Sequence, residues 1–265
     1  MLESYSGATR IYPIVGDPIA QVKSPSRLTG AFEAAGHDAI VVPFQIAPAE
    51  IEAFLRALDL ARNVDGMLAT VPHKFAAYRH AASASERAHL LGSANVLRRA
   101  PDGGWHADML DGVAMVRAIE AAGMSIRGRR GLLLGAGGAG SAIGLELLNA
   151  GVAQLAIHDT SRERRDALRK TLAAVHRGKV APGTSDPTGF DLIVNATPAG
   201  MGGGDESPAL RDKLAASMLV ADVIALPEIT PLLRAAKAKG SRVVTGVDMH
   251  NASLPIMVDF FFGAR

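Results

Sequence analysis

The stretch Leu132-Leu133-Leu134-Gly135-Ala136-Gly137-Gly138-Ala139-Gly140 constrains this chain more than any other. A short apolar strand core runs straight into Gly135-x-Gly137-x-x-Gly140, and a helical pattern follows through Leu148. In such a unit the first glycine permits a tight turn and the second lets backbone approach a pyrophosphate. The third lets helix pack closely on strand, and the helix N-terminus holds the phosphates. Asp159 stands 24 residues after Gly135, at the end of the next predicted strand, where an acid can bond a ribose 2′-hydroxyl. The competing reading is a structural glycine turn plus a helix-capping aspartate. A carboxylate at this place repels a 2′-phosphate, which favours NAD over NADP. NADP is not excluded, because Arg162, Arg164 and Arg165 either cradle a phosphate or form a solvated helix face.

Around this motif, strand-length apolar runs alternate with stretches of helical period, the pattern of βα units and a mostly parallel sheet. Strands are predicted near Tyr12 to Val15, Ala39 to Phe44 and Gly66 to Thr70, with helices over Pro25 to Ala35, capped by Ser24, and over Pro48 to Ala61. Ala94 to Arg99 and Trp105 to His106 flank the turn Pro101-Asp102-Gly103-Gly104 and read as a hairpin. After a helix from Gly112 to Ala122, strands are expected at Leu132 to Leu134, Gln154 to Ile157, Leu192 to Val194, Leu219 to Val223 and Arg242 to Thr245, with a helix over Arg162 to Val175. The class is therefore α/β in two domains. The expected division is 1–108, 109–245 for the dinucleotide-binding part, and 246–265 for an apolar segment, Met249 to Phe262, that returns to the first domain.

The 265 residues carry 28 basic and 26 acidic side chains. This near-balance gives no basic block able to track a phosphate backbone, so no nucleic-acid partner is expected. Zero cysteine excludes disulfides, thiol nucleophiles and iron–sulfur clusters. No His-Glu-x-x-His or carboxylate cluster points to a metal. No run reaches the roughly 18 apolar residues of a membrane span, and Met1 to Arg10 lacks the features of a secretory signal; a cytoplasmic protein is expected.

Three further segments carry polar residues at turns. In Thr70-Val71-Pro72-His73-Lys74, Pro72 can start a short helix and leave Lys74 in its first turn, where the dipole disfavours a cation and favours a proton acceptor. Lys74 is otherwise a solvated surface charge. Asp111, in Asp108-Met109-Leu110-Asp111-Gly112, is either functional or a helix N-cap, and Asn95 is either functional or a turn residue.

Taken in order, these segments resemble the shikimate and quinate dehydrogenase family over nearly the whole chain. Gly16-Asp17-Pro18-Ile19 with Lys23-Ser24-Pro25 is similar to its N-terminal motif, Thr70 to Lys74 to its lysine segment, Gly92-Ser93-Ala94-Asn95 to its asparagine segment and Asp108 to Gly112 to its aspartate segment. Gly135 to Gly140 is similar to its dinucleotide loop, Asn195-Ala196-Thr197-Pro198-Ala199-Gly200-Met201 to its second cofactor-side loop, and Gly246-Val247-Asp248-Met249 to the start of its closing helix. The resemblance implies a substrate-binding domain and a Rossmann-type domain with an active site in the cleft between them. It also implies reversible NAD(P)-dependent oxidation of a ring secondary alcohol in a small cyclic hydroxy acid, by a monomer or homodimer. Lys74 and Asp111 become the implied catalytic pair; Ser24, Thr70, Asn95, Asp111 and Ser253 the implied substrate contacts. The implied cofactor contacts are Gly135, Ala136, Gly137, Gly138, Ala139, Gly140, Asp159, Asn195, Ala196, Thr197, Val223, Gly246 and Met249.

The departures from the family pattern are all losses of polarity. Val22, Leu68, Met109, Leu110 and Ala225 stand where the family usually has serine, asparagine, asparagine, threonine and tyrosine, and Ser253 stands for a glutamine. A pocket stripped of these partners suits a less hydroxylated or differently placed acid, with His73, His250 and Asn251 as new contacts or as ordinary capping and surface residues. Two alternatives remain: an NADP-dependent biosynthetic shikimate dehydrogenase, and a catalytically silent dinucleotide-binding sensor. Against the sensor stand Lys74, Asp111, Thr70 and Asn95.

Overall fold

The computed structural model describes residues 5–263. The outer limits expected for the first domain and the C-terminal segment, and the first four residues of the leader reading, lie outside that range. Two compact units result, one running through Leu110 and resuming at Leu254, the other spanning Asp111–Ser253.

The first unit is built from β1 (Arg10–Gly16), α1 (Ser24–Ala34), β2 (Ala39–Gln45), α2 (Ile51–Leu60), β3 (Gly66–Ala69), α3 (Lys74–His80), β4 (Ser83–Ala84), α4 (Glu86–Leu91), β5 (Val96–Arg99) and β6 (Trp105–Asp108). Its six-stranded sheet has the order β2-β1-β3-β5-β6-β4. β1 pairs in parallel with β2 and β3, as βα connections require. β5 runs antiparallel to β3 and β6, because only a tight turn joins β5 to β6. Leu55, Met67, Leu97 and Trp105 fill the core. Ser24 does not cap α1: it is the first helical residue, Lys23 takes the capping position without a side-chain cap bond, and the helix starts one residue before Pro25. α2 begins at Ile51 rather than Pro48, since residues 48–50 form a turn.

The second unit holds α5 (Asp111–Ala121), β7 (Arg130–Leu134), α6 (Gly138–Asn149), β8 (Gln154–His158), α7 (Arg162–Val175), β9 (Val180–Pro182), β10 (Leu192–Asn195), β11 (Leu219–Asp222), α8 (Pro231–Ala238), β12 (Arg242–Val244) and the start of α9 (Gly246–Phe262). Its sheet is parallel throughout, in the order β12-β11-β10-β7-β8-β9. That is the doubly wound dinucleotide-binding order, with its switch point between β7 and β10. β10 and β11 are buried at every residue, as strands covered on both faces should be. The sequence reading did not include β9, α4 or α8.

Helix α9 passes through the boundary of the two units, and its last turns belong to the first. There Phe261 lies 4.9 Å from the Tyr12 ring and 6.0 Å from that of Phe32, and is 3% exposed. Truncating it leaves a cavity beneath β1 and α1. Phe261→Ala is expected to cost about 3–5 kcal/mol, measured by chemical denaturation, with amide exchange accelerating in β1 before it does in β7.

Candidate active site

In the second unit the glycine loop leaves β7 at the switch point. Gly135 has φ +100°, and a Cβ there would stand 2.8 Å from the Ala196 carbonyl carbon. At Gly140 a Cβ would meet the Gly135 carbonyl oxygen at 2.1 Å. Both positions are closed to any side chain. Gly137, by contrast, is exposed and has open space where its Cβ would be; it caps α6 with no side chain of its own. Bare backbone at the head of a helix of 12 residues suits an anionic pyrophosphate, so these residues fit a dinucleotide.

Asp159 follows β8 and binds back to this loop. Its Oδ2 accepts from Ala136 N–H at 2.8 Å, and its Oδ1 from Ser161 N–H at 2.7 Å and Arg164 at 2.8 Å. Burial pushes the carboxyl upward, but the bonds from Arg164, Ala136 and Ser161 outweigh it and hold Asp159 below the usual carboxylate range. Arg165 pairs with Asp166 instead.

The loops after β10 and β11 meet at a residue the sequence reading passed over as a site. Asp222 is fully buried and accepts from Asn195, Ile224 N–H and Thr230. Asn195 in turn accepts from Thr197, and Val223 N–H donates to its backbone carbonyl. Gly246 lies against the Ile224 carbonyl, while Met249 is half-buried one turn on in α9.

In the first unit Lys74 is the first residue of α3 and 9% exposed. Its carbonyl accepts from Ala94 N–H, and Asp17 N–H donates to Val71, so the lysine segment is tied to β5 and to β1. Thr70 sits half-buried with its methyl close under Gly16. His73 is buried, and its Nε2 lies 2.7 Å from the Ile46 carbonyl oxygen, an acceptor only, so this nitrogen carries the proton. This bond ties the residue before α3 to the end of β2. Ser24 heads α1, half-buried.

Asn95 directs its Oδ1 to Leu110 N–H at 2.8 Å. It thereby holds the segment that ends in Asp111, which enters α5 as its first residue rather than standing outside it as a cap. The same segment is clamped by Asp108, a second site the sequence reading missed. Asp108 accepts from Arg87 through both oxygens at 2.7 Å, from Ser85, and from Met109 N–H. Nothing local marks this pair, whose partners are 21 residues apart.

Leu68, Met109 and Leu110, at 3%, 0% and 2% exposure, are core side chains and line no open surface. At these places the lost polar groups have been replaced by packing. Val22 and Ala225 remain half-buried. Ser253 spends its hydroxyl hydrogen on the His250 carbonyl one turn earlier in α9. No group of three or more His, Asp or Glu side chains able to hold a metal is found among the described residues, and no helix among them is long and apolar enough to cross a membrane.

A glycine cradle at the switch point of a doubly wound sheet, in a chain whose other α/β unit carries a buried lysine, defines a dinucleotide-binding oxidoreductase. The family model for the shikimate dehydrogenase substrate-binding domain matches residues 14–97. The chain is 33% identical to the shikimate dehydrogenase (NADP(+)) of Maricaulis maris over 97% of its own length and 92% of that protein. Among solved structures it is similar to the ligand-free 5-ketofructose reductase of a Gluconobacter strain, with 26% identity, a TM-score of 0.86 and coverage of 97% and 94% of the two chains. It is also similar to a shikimate dehydrogenase in complex with NADP+, with 25% identity, a TM-score of 0.90 and coverage of 99% and 93%. The chain belongs to the shikimate dehydrogenase family, and is an NAD(P)-dependent enzyme of the alcohol dehydrogenase type.

Burial pushes the Asp108 carboxyl upward, while Arg87, Ser85 and the Met109 N–H outweigh this and hold it below the usual range. Its contribution to stability is therefore complete above the ordinary carboxylate pKa of about 3.9 and lost as pH falls through the folded value. Arg87→Met leaves that carboxylate buried without its cation. Denaturation at pH 7 is expected to show a loss of about 3 kcal/mol, shrinking as the pH is lowered towards 3.

Proposed function

We propose that this enzyme interconverts a ring secondary alcohol and its ketone in a shikimate- or quinate-like cyclic hydroxy acid, with NAD as the preferred dinucleotide. The observation that carries the reading is a buried lysine at the start of α3, a side chain able to take up and hand over a proton. Lys74 takes the hydroxyl proton as the alcohol is oxidised and returns it in the reverse direction. Asp111 bonds the same region of the substrate and holds Lys74 in position. Thr70, Asn95, Ser24 and Ser253 contact the substrate; for Asn95 and Ser253 this is in addition to the internal bonds described above. A bound nicotinamide supplies the hydride acceptor.

The dinucleotide is held along Gly135 to Gly140 and the loops carrying Asn195, Ala196, Thr197, Val223, Gly246 and Met249. Asp159, ionised and tied to the loop itself, accepts from the adenosine ribose and disfavours a 2′-phosphate. A second reading, an NADP-dependent shikimate dehydrogenase, is favoured by the names of the curated relatives and by Arg164, which lies against Asp159. Val22 and Ala225, half-buried where the family pattern has serine and tyrosine, favour a substrate with fewer or differently placed hydroxyls than shikimate. The reading also takes the enzyme to work in the cytoplasm as a monomer or homodimer.

Initial rates with shikimate, quinate and dihydroshikimate, each with NAD and NADP, test these statements together. Faster turnover with NAD is expected; equal or faster rates with NADP would overturn the cofactor preference, and binding without turnover on a broad panel would favour a sensor. Lys74→Met is expected to lower kcat by about 10²- to 10⁴-fold while dinucleotide binding, followed by fluorescence titration, is retained. Wild-type turnover in that variant would refute the assignment.

A further inference from the structure

The buried carboxylate of Asp222 lies outside the set of groups assigned to substrate or dinucleotide. It ends β11 at 0% exposure. Oδ1 accepts from Asn195 Nδ2 at 3.0 Å and from Ile224 N–H at 3.0 Å, and Oδ2 accepts from the Thr230 hydroxyl at 2.8 Å. The Asn195 amide has only one workable orientation, because its Oδ1 accepts from Thr197 N–H at 2.9 Å and from the Thr197 hydroxyl at 2.7 Å. Thr230 caps α8 by accepting from Leu233 N–H at 3.3 Å. One carboxylate thus joins the loop after β10, the loop after β11 and the head of α8.

One of those segments touches the glycine cradle and another touches Gly246, both assigned above to the dinucleotide. The loop after β10 supplies Ala196, whose backbone would collide with any side chain at Gly135 and whose methyl would lie 3.4 Å from one at Gly140. The loop after β11 supplies Ile224, whose carbonyl presses on Gly246 at the head of α9. Burying a carboxylate is costly, and a hydrophobic residue of similar volume would serve stability as well. A fully satisfied polar network, on the other hand, selects one arrangement of its loops.

We infer that Asp222 is a positioning residue for the dinucleotide site, setting through Asn195 and Thr230 the spacing between the loop that closes on the glycine cradle and the loop that packs on Gly246. The inference rests on the dinucleotide-binding reading. Burial pushes the Asp222 carboxyl above the usual range against the bonds from Ile224, Thr230 and Asn195. In Asp222→Asn the amide oxygen can still accept from Asn195 and Ile224, but the amide nitrogen cannot accept from the Thr230 hydroxyl, so the tie to the head of α8 is lost at constant side-chain volume.

The test uses the full chain. Asp222→Asn is expected to raise the KM for the dinucleotide by about ten- to a hundredfold, with kcat at saturating dinucleotide within about twofold of wild type. Exchange of the Thr197, Ile224 and Leu233 amides is expected to accelerate. A lowered Tm with unchanged KM is the signature of a merely structural role and would overturn the inference. Should Asp222→Asn not fold, Thr230 decides the matter: Thr230→Ser keeps the wild-type KM and Thr230→Val raises it, whereas equal values in both refute the proposal. Wild-type protein that binds neither NAD nor NADP defeats the dinucleotide reading and this inference together. Wild type that binds, with variants that bind equally well, defeats the inference alone.

Discussion

The second unit depends on a contact with no space in it. Helix α6 springs from the end of β7 so closely that hydrogen alone fits between Gly140 and the Gly135 carbonyl, and Gly135 is pressed in turn by the Ala196 backbone. Since a β-carbon at either place would stand within 3 Å of backbone, the loop can neither relax outward nor accept a larger residue without moving a strand. The neighbouring loops are built to this tolerance: Ala136 is bonded to Asp159 across β8, and Asn195 to Asp222 across β11. The open backbone at Gly137 follows from the closed backbone at Gly135 and Gly140.

Much of this was legible in the sequence. Period alone locates α7 at its observed limits, Arg162–Val175, and the Pro101–Gly104 turn implies the β5–β6 hairpin found. The glycine spacing, followed by an acid after the next strand, gives the cradle and the place of Asp159. Thr230-Pro231, a cap followed by proline at the first helical position, marks the start of α8.

Other features had no local signal. Asp108 finds Arg87 21 residues back, and Asp222 finds Asn195 27 residues back; only the sheet order brings these side chains together. Ser24 misleads for another reason: serine before Pro25 has the composition of a cap, but Lys23 already has near-helical angles, φ −104° and ψ −9°, so the helix starts one residue sooner. The burial of Leu68, Met109 and Leu110 was equally hidden. A resemblance identifies which polar groups are missing at those positions, not which way the substituted side chains point.

The aromatic contact at the end of α9 has a consequence for how the chain is made. Tyr12 and Phe32 precede the second unit in the chain and their partner Phe261 follows it, so the core of the first unit lacks a ring until the second has been made. The second unit, continuous from Asp111 to Ser253, has all its strands once Val244 has emerged. The core of the first unit is therefore completed only after every strand of the second has been made. A fragment ending at Leu110 would carry an unfilled aromatic face, whereas one spanning the second unit would lack none of its sheet.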